Sequence, residues 1–183
     1  IGLSETRCSG KALKLYKYGF KLVSALPAEG LSNGMEVWAK GKVENILTYS
    51  NRIISFDWYY QGLKYRIVYV YGSSKKSVNV ELWNFIKPRI IDNIILGGDI
   101  NKLKVDSDEL LDGFIHGGWG ETHTWTRKRL DKELRSRIDR IYHNIPLMKP
   151  ILYHLDFPKW EDNSNFSDHK PIWLYLNDEN VID

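Results

Sequence analysis

Ile94-Ile95-Leu96-Gly97-Gly98-Asp99-Ile100-Asn101 predicts a buried strand that ends abruptly in polar side chains. The apolar run has the length and composition of a strand covered on both faces. The two glycines permit a sharp turn at the edge of a sheet. Asp99 and Asn101 lie two residues apart, so they can point to the same side if the backbone stays extended. This segment therefore predicts a sheet whose strand ends carry chemically active groups.

Strand patterns separated by turn residues recur on both sides of this segment, which predicts many strands and few helices. The clearest pair is a hairpin formed by Ile53–Tyr60 and Tyr65–Tyr71. Further strands are predicted at Ser136–Tyr142, Ile151–Leu155 and Ile172–Leu176, and helices at Val78–Ile91 and Ser107–Leu111. The expected class is α/β, with two packed sheets and a few helices outside them.

Length and composition favour one domain. The chain has 183 residues, of which 43% are hydrophobic and 13% aromatic, enough for one buried core over 1–183. Cys8 is the only cysteine, which excludes an intrachain disulfide and a zinc ribbon and predicts a reducing, intracellular compartment. No apolar run is long enough to predict a membrane segment. Because the chain begins at Ile1, with residues typical of the end of a buried strand, we expect a domain truncated at its N-terminus.

Acidic and polar residues fall at the predicted strand ends. Glu5 follows the first apolar residues, Asp99 and Asn101 follow the central strand, Asp139 lies within another, and Asp168-His169 precedes the last. Each alone is most simply a turn former or a cap. Gathered at one edge of a sheet, they would form an oxygen-rich site for Mg²⁺ beside groups able to move a proton.

One segment carries the excess positive charge. Residues 127–140 contain seven Lys or Arg and three Asp or Glu, although the whole chain has a net charge of only +3. Clustered cations of this kind displace counterions from a nucleic-acid backbone. The alternative is a solvated surface hairpin held by local ion pairs.

Five segments resemble, in chain order, motifs of the magnesium-dependent endonuclease/exonuclease/phosphatase superfamily. They span nearly the whole chain and are Leu3-Ser4-Glu5-Thr6-Arg7-Cys8, Tyr69-Val70-Tyr71-Gly72, Gly97-Gly98-Asp99-Ile100-Asn101, Ser136-Arg137-Ile138-Asp139 and Ser167-Asp168-His169-Lys170-Pro171-Ile172. The opening motif, Arg52-Ile53-Ile54-Ser55 and His123-Thr124-Trp125-Thr126 are most similar to the endonuclease domains of LINE-type (non-LTR) retrotransposons.

The resemblance implies a fold and an activity. The fold would be a DNase I-like, four-layer α/β/β/α sandwich of two mainly antiparallel sheets flanked by helices, here without its first strand. The activity would be Mg²⁺-dependent hydrolysis of DNA phosphodiester bonds, with Mn²⁺ as a substitute metal, to nick target DNA in retrotransposition. The implied partners are DNA and a reverse transcriptase domain in the parent chain, and the implied location is nuclear.

The resemblance also implies roles for individual residues. Glu5 and Asp168 would bind the metal, Asp99 would deprotonate the attacking water, and Asn101 would position that water. The phosphate would be contacted by His169, braced by Asp139, and by Tyr71. The implied DNA-binding residues are Thr124, Arg127, Lys128, Arg129, Arg135 and Arg137.

Two departures from the family leave other functions open. The family has an asparagine on a strand before the glutamate motif, and its tyrosine motif usually continues with proline, whereas Gly72-Ser73-Ser74 follows Tyr71 here. One alternative is a phosphatase of the same fold acting on a nucleotide, inositol or lipid headgroup. The other is a catalytically impaired remnant that binds nucleic acid or a protein.

Overall fold

A computed structural model describes residues 1–6, 14–29, 32–113, 123–129 and 132–146, together with 169, 172, 174 and 176. The described strands are β1 (Gly2–Ser4), β2 (Lys21–Glu29), β3 (Ser32–Ala39), β4 (Lys42–Tyr49), β5 (Ile53–Tyr60), β6 (Leu63–Tyr71), β7 (Ile94–Asp99), β8 (Leu111–Asp112), β9 (Trp125–Arg129), β10 (Lys132–Ser136) and β11 (Asp139–His143). Helix α1 spans Lys76–Ile86, and 3-10 turns cover Leu15–Tyr18 and Lys87–Arg89.

The largest sheet has six strands in the order β4-β5-β6-β7-β11-β8. Its neighbouring strands are antiparallel except for β6 and β7, which are parallel and are joined through α1. The predicted β5–β6 hairpin is confirmed. Its turn residues Gln61 and Gly62 both have positive φ, 48° and 75°, as a two-residue turn that follows the twist of the strands requires.

The six-stranded sheet is covered on both faces. Adjacent Ile53 and Ile54 of β5 are both fully buried, and strand alternation places their side chains on opposite faces. Ile53 packs in a cluster with Leu82 and Ile86 of α1, whereas Ile54 packs with Met35 of β3. The second sheet, with strand order β1-β3-β2, therefore lies on the face opposite α1. Each fully buried aliphatic side chain contributes about 1.5–3 kcal/mol to this packing.

The predicted strand Ser136–Tyr142 is wrong as a single element. β10 ends at Ser136 and β11 begins at Asp139, because the backbone N–H of Ile138 donates to the Thr124 hydroxyl instead of to a strand partner. Residues 132–136 pair with β9 in a separate two-stranded sheet. The predicted strand Ile151–Leu155 lies outside the described residues, as do two of the five residues of Ile172–Leu176.

The two helix predictions have different outcomes. Val78–Ile91 corresponds to α1 followed by the 3-10 turn that contains Pro88, which cannot donate a helical hydrogen bond. The predicted helix Ser107–Leu111 is wrong. The Ser107 hydroxyl accepts a hydrogen bond from the Glu109 N–H, and Leu110 donates to the Ser107 carbonyl, which closes a turn before β8. None of the helices in the described ranges is long and apolar enough to cross a membrane.

Candidate active site

Three of the sequence-predicted site residues meet at one end of the six-stranded sheet. Since β6 and β7 are parallel, their carboxyl ends lie side by side, and Tyr71 is the register partner of Asp99. β11 runs antiparallel to β7 and starts there, with Asp139 opposite Asp99. Neighbouring strands are about 4.8 Å apart. Residues distant in sequence are therefore brought together at one sheet edge.

Asp99 occupies the centre of this edge. Its side chain is only 2% exposed, and burial raises the pKa of its carboxyl group to about 7, with the nearby Asp139 carboxylate and Glu5 acting in the same direction. His169 and the backbone N–H of Asn101 oppose that rise in pKa. A carboxyl group that titrates near neutrality can both accept and release a proton at physiological pH.

Asn101 does not continue the strand, so the extended backbone that would point Asp99 and Asn101 to the same side is not present. β7 ends at Asp99, and Asn101 takes a left-handed conformation with φ of 49°. Its N–H donates to Asp99 Oδ1 (3.0 Å) and also to the Ile138 carbonyl (3.2 Å), which accepts from Ile100 as well. An Asp side chain that bonds the backbone two residues ahead is a common turn device. This turn connects the loop after β7 to the start of β11.

Two glycines allow the backbones to approach closely at this edge. A Cβ atom at Gly72 would collide with the Ile100 carbonyl oxygen, and one at Gly98 would collide with the Val70 carbonyl oxygen. Gly98 also has a φ of 132°, a conformation that L side chains rarely adopt. Gly98, in Gly97-Gly98-Asp99, thus allows β7 to pack closely against β6, in addition to permitting the turn.

The structure brings His169 into contact with Asp139. The distances from His169 Nδ1 to the two carboxylate oxygens of Asp139 are 2.9 and 3.1 Å. His169 also forms an isolated β-bridge with Trp125. The carboxylate accepts from Nδ1–H, which fixes the tautomer and the orientation of the ring. Asp168, its sequence neighbour, lies outside the described residues.

The buried position of Thr124 does not suit its predicted role in DNA binding. Its side chain is fully buried, with 0% exposed, and its hydroxyl accepts hydrogen bonds from the N–H groups of Ile138 (3.2 Å) and Asp139 (3.0 Å). A side chain without exposed surface cannot contact DNA. Thr124 instead holds the backbone that carries Asp139.

Glu5 and Tyr71 form the other half of the site. The Tyr71 hydroxyl donates to Glu5 Oε1 (2.6 Å), across the interface between the two sheets. Burial raises the pKa of the Tyr71 hydroxyl, and the hydrogen bond to Glu5 raises it further. Tyr71 therefore keeps its proton at neutral pH and acts as a hydrogen-bond donor.

Arg52 and Asn79, for which no site role was predicted, hold the backbone at the end of β6. Arg52 Nη1 donates to the carbonyl oxygens of Tyr71 and Gly72, 3.2 Å each, and its guanidinium lies 4.8 Å from the centre of the Tyr71 ring. Asn79 accepts from the Ser73 N–H (2.8 Å) and donates to the Ser73 carbonyl (2.7 Å). A signal for Asn79 was present, because it shares helical spacing with buried Leu82 and Ile86.

The predicted magnesium site has one described ligand, Glu5. The described residues contain no group of three or more His, Cys, Asp or Glu side chains arranged to hold a metal. Mg²⁺, however, is usually bound through one or two carboxylates together with substrate phosphates. Glu5 supplies one carboxylate, and the negative charge that Asp139 and Glu5 add around Asp99 is what a cation would offset. Glu5 is of the ligand type that Mg²⁺ or Mn²⁺ takes, and binding of either ion by Glu5 and Asp168 stays a prediction.

The basic segment forms a two-stranded hairpin, β9–β10, next to the site. Arg127 pairs in register with Leu134, and Lys128 with Glu133. Arg127 and Lys132 are exposed, whereas Arg135 forms an ion pair with Glu133 (2.9 Å). Arg129 lies at the end of β9, and Arg137 lies between β10 and β11. The hairpin thus offers exposed cations and also contains one of the local ion pairs expected of a solvated surface.

Comparisons with solved structures identify the fold. The chain is similar to truncated TDP2 from Caenorhabditis elegans, with 15% identity over 76% of this chain and 68% of that one and a TM-score of 0.59. It spans about half (52%) of the longer TDP2 of the same organism. No protein-family model and no curated protein sequence matches the chain.

Two further structures cover more of the chain. The endonuclease domain of TRAS1, a telomere-specific non-LTR retrotransposon, has 16% identity over 88% of this chain and 81% of that one, with a TM-score of 0.57. An endonuclease/exonuclease/phosphatase family protein from Leptotrichia buccalis has 17% identity over 89% and 75%, with a TM-score of 0.62. At these identities the similarity shows the fold alone, which agrees with the predicted packed sheets.

Proposed function

We propose that this chain, which has the DNase I-like fold of the endonuclease/exonuclease/phosphatase superfamily, is a Mg²⁺-dependent endonuclease that hydrolyses DNA phosphodiester bonds. One observation carries the proposal. An aspartate-held imidazole, with His169 Nδ1 2.9 Å from Asp139 Oδ2, lies beside a second buried carboxyl group, Asp99, on the neighbouring strand. A general base and a hydrogen-bond donor to the phosphate are the groups that this hydrolysis requires.

Asp99 acts on the nucleophile. Its pKa near 7 lets the carboxylate accept the proton of the attacking water as the oxygen–phosphorus bond forms. Asn101, fixed to Asp99 through its own N–H (3.0 Å), positions that water or a phosphoryl oxygen. Because both residues belong to one turn, nucleophile and base keep a constant geometry.

His169 and Tyr71 act on the phosphate. His169, oriented by Asp139, donates a hydrogen bond to a phosphoryl oxygen as negative charge develops in the transition state. The Tyr71 hydroxyl donates its single proton to Glu5 in the structure; in the proposed complex with DNA it would donate instead to the phosphate or to the leaving oxygen. A magnesium ion held by Glu5 and Asp168 would supply positive charge to the phosphoryl oxygens.

DNA is the proposed substrate because a cationic hairpin lies next to the site. Arg127 and Lys132 are exposed on β9 and β10 and can neutralise phosphates of a bound DNA, which predicts salt-dependent affinity. The similarity to the TRAS1 domain supports a narrower proposal, that the chain nicks target DNA in retrotransposition in the nucleus. A reverse transcriptase domain in the parent chain is part of this proposal.

The test is conversion of supercoiled plasmid to the open-circular form, measured with Mg²⁺ and with EDTA. Asp99→Ala and His169→Ala should abolish the Mg²⁺-dependent nicking. The matched control is Asp92→Ala, which removes an exposed carboxylate from the loop before β7 and should nick normally.

Each other outcome has a defined meaning. Nicking retained by Asp99→Ala would overturn the assignment of the base. Release of phosphate from a nucleotide or inositol monoester, without nicking, would favour the phosphatase. A folded chain inactive in both assays would favour the nucleic-acid-binding remnant.

A further inference from the structure

The end of the sandwich opposite the candidate active site carries lysines and aromatic rings at its surface. There the 3-10 turn Leu15–Tyr18 leads into β2, β3 turns into β4, and β5 ends. We call this the lysine–tyrosine surface and define it by Tyr16, Lys17, Tyr18, Lys21, Lys40 and Tyr60, all of them exposed. β6 runs from this end at Leu63 to the site at Tyr71, so its rise separates the two ends by about 25 Å.

Contacts made by Lys40 connect the segment after the 3-10 turn with the end of β5. The Lys40 ammonium lies 4.7 Å from the centre of the Phe20 ring, which follows the 3-10 turn. The Lys40 carbonyl accepts a hydrogen bond from Trp58 Nε1 (2.7 Å). The Trp58 ring stacks on Tyr60, with centroids 5.1 Å apart and planes 11° apart. These contacts place Lys40 and Tyr60 beside the segment that carries Tyr16, Lys17, Tyr18 and Lys21.

The surface is positively charged. Residues 14–28 include three lysines and no Asp or Glu, and Lys14, Lys17 and Lys21 are all exposed. The nearby carboxylate of Glu44 forms an ion pair with Lys42 (2.8 Å). Lys42 is not one of the residues that define the lysine–tyrosine surface. Lys17 and Lys21 therefore retain charge that can displace counterions from a polyanion.

The tyrosine rings are unusually open to solvent. Tyr16 is 57% exposed, Tyr18 68% and Tyr60 39%. Open rings among cations are the composition on which the bases of single-stranded nucleic acid stack while their phosphates are neutralised. In a duplex the faces of the bases are already stacked on one another, so open rings add less to duplex binding.

We propose that the lysine–tyrosine surface binds single-stranded DNA or RNA, at a place distinct from the candidate active site. The charge supplies affinity for any nucleic acid, and the open rings supply the preference for unpaired bases. This inference concerns binding alone and holds whether or not the other end cleaves DNA.

The first test measures binding of a fluorescein-labelled 20-nucleotide oligo-dT, and of an RNA of equal length, by anisotropy in EDTA. The double variant Lys17→Glu/Lys21→Glu should weaken binding about tenfold and lower the magnitude of the salt slope by about 1.4, since each single-strand phosphate contact contributes roughly 0.7. The matched control, Lys76→Glu/Lys87→Glu on and just after α1, changes the net charge equally and should weaken binding only slightly.

The second test separates stacking from charge. Tyr16→Ser/Tyr18→Ser should weaken binding by about tenfold without changing the salt slope. A 5-bromodeoxyuridine oligonucleotide should photo-crosslink to residues 14–21 or to Tyr60. Circular dichroism should show that both double variants remain folded, because the substituted side chains are exposed.

Three results would overturn the proposal. These are binding that neither double variant weakens more than the control does, crosslinks confined to 125–136, and lysine-dependent binding to phosphatidylserine vesicles without binding to the oligonucleotides. The plasmid-nicking assay reports on the opposite end, so failure of one proposal can be told from failure of the other.

Discussion

The two ends of the sandwich place their charged groups in opposite surroundings. At the candidate active site, Asp99 and Asp139 are buried, and backbone N–H groups and the His169 ring hold them in place. At the lysine–tyrosine surface the charges are exposed on long, flexible side chains. Burial of a carboxyl group shifts its pKa and fixes its position, which suits a catalytic step. Burying its charged form also lowers the stability of the folded protein. Exposure keeps the charges solvated, which suits contact with a polyanion. The predictions below test this contrast, from the largest expected effect to the smallest.

The largest effect is expected from Asp139→Asn. The substitution keeps the shape of the side chain but removes the negative charge that orients His169, so the rate of nicking should fall by about 10²- to 10⁴-fold. Thermal unfolding should change little by comparison. A single-turnover rate constant within a few-fold of the wild-type value would show that the Asp139–His169 contact has no catalytic role.

Asp99→Asn should make the protein more stable, although inactive. The pKa of Asp99 in the folded protein, about 7, lies above its ordinary value of 3.8, so the folded state binds this proton more tightly than the unfolded chain does. The stability from this group is complete below about pH 4 and is lost as the pH rises through 7. Urea unfolding in EDTA should therefore show the variant more stable than the wild type by about 2–4 kcal/mol at pH 8, and about equal to it at pH 4.

Magnesium should reduce the difference in stability between Asp99→Asn and the wild type at pH 8, because a cation beside Asp99 favours the charged form of its carboxyl group. A variant less stable than the wild type at pH 8 in EDTA would contradict the view that burial of Asp99 is unfavourable.

Thr124→Val should have an intermediate effect. Valine has nearly the same shape as threonine but leaves the buried N–H groups of Ile138 and Asp139 without their hydroxyl acceptor, which should cost about 1–3 kcal/mol of unfolding free energy. Thr124→Ser keeps the acceptor and serves as the control. DNA affinity at constant salt should be unchanged in Thr124→Val; clearly weaker DNA binding by the folded variant, but not by Thr124→Ser, would restore the predicted DNA contact.

The smallest effect on stability is expected at the lysine–tyrosine surface. Lys17→Ala/Lys21→Ala should leave the midpoint of thermal unfolding unchanged at pH 5 and at pH 8, because both side chains are exposed. A clear loss of stability would show that these lysines belong to the fold, and the contrast between the two ends would fail.

The sequence predicted local elements better than their junctions. The β5–β6 hairpin follows from apolar alternation around Gln61-Gly62, and α1 follows from helical spacing, because both signals lie within one short window. The break at Arg137-Ile138 was missed, since its cause is a hydrogen bond to Thr124 from outside the window. Asn101 was misplaced because a bond to the preceding aspartate overrides strand geometry.

The candidate site was predicted from motifs, and its internal contacts were not all foreseen. The pairing of His169 with Asp139 was implied by the resemblance and is present in the structure. The buried hydroxyl of Thr124, the Arg52 guanidinium on Tyr71 and the Asn79 amide on Ser73 depend on which strands and loops become neighbours. Periodicity contains no such information, apart from the helical spacing of Asn79.

The register of β7 against β11 also affects when the protein can act. Asp99 meets Asp139 only when β11 docks, and Asp139 meets His169 only when a still later segment returns to the sheet. A chain still emerging from the ribosome, or one cut before residue 139, contains the proposed general base but not the group that orients the imidazole. Under the proposed function, a nascent chain therefore cannot cut nucleic acid, and its activity begins only after the segment that contains His169 has been synthesised and has docked.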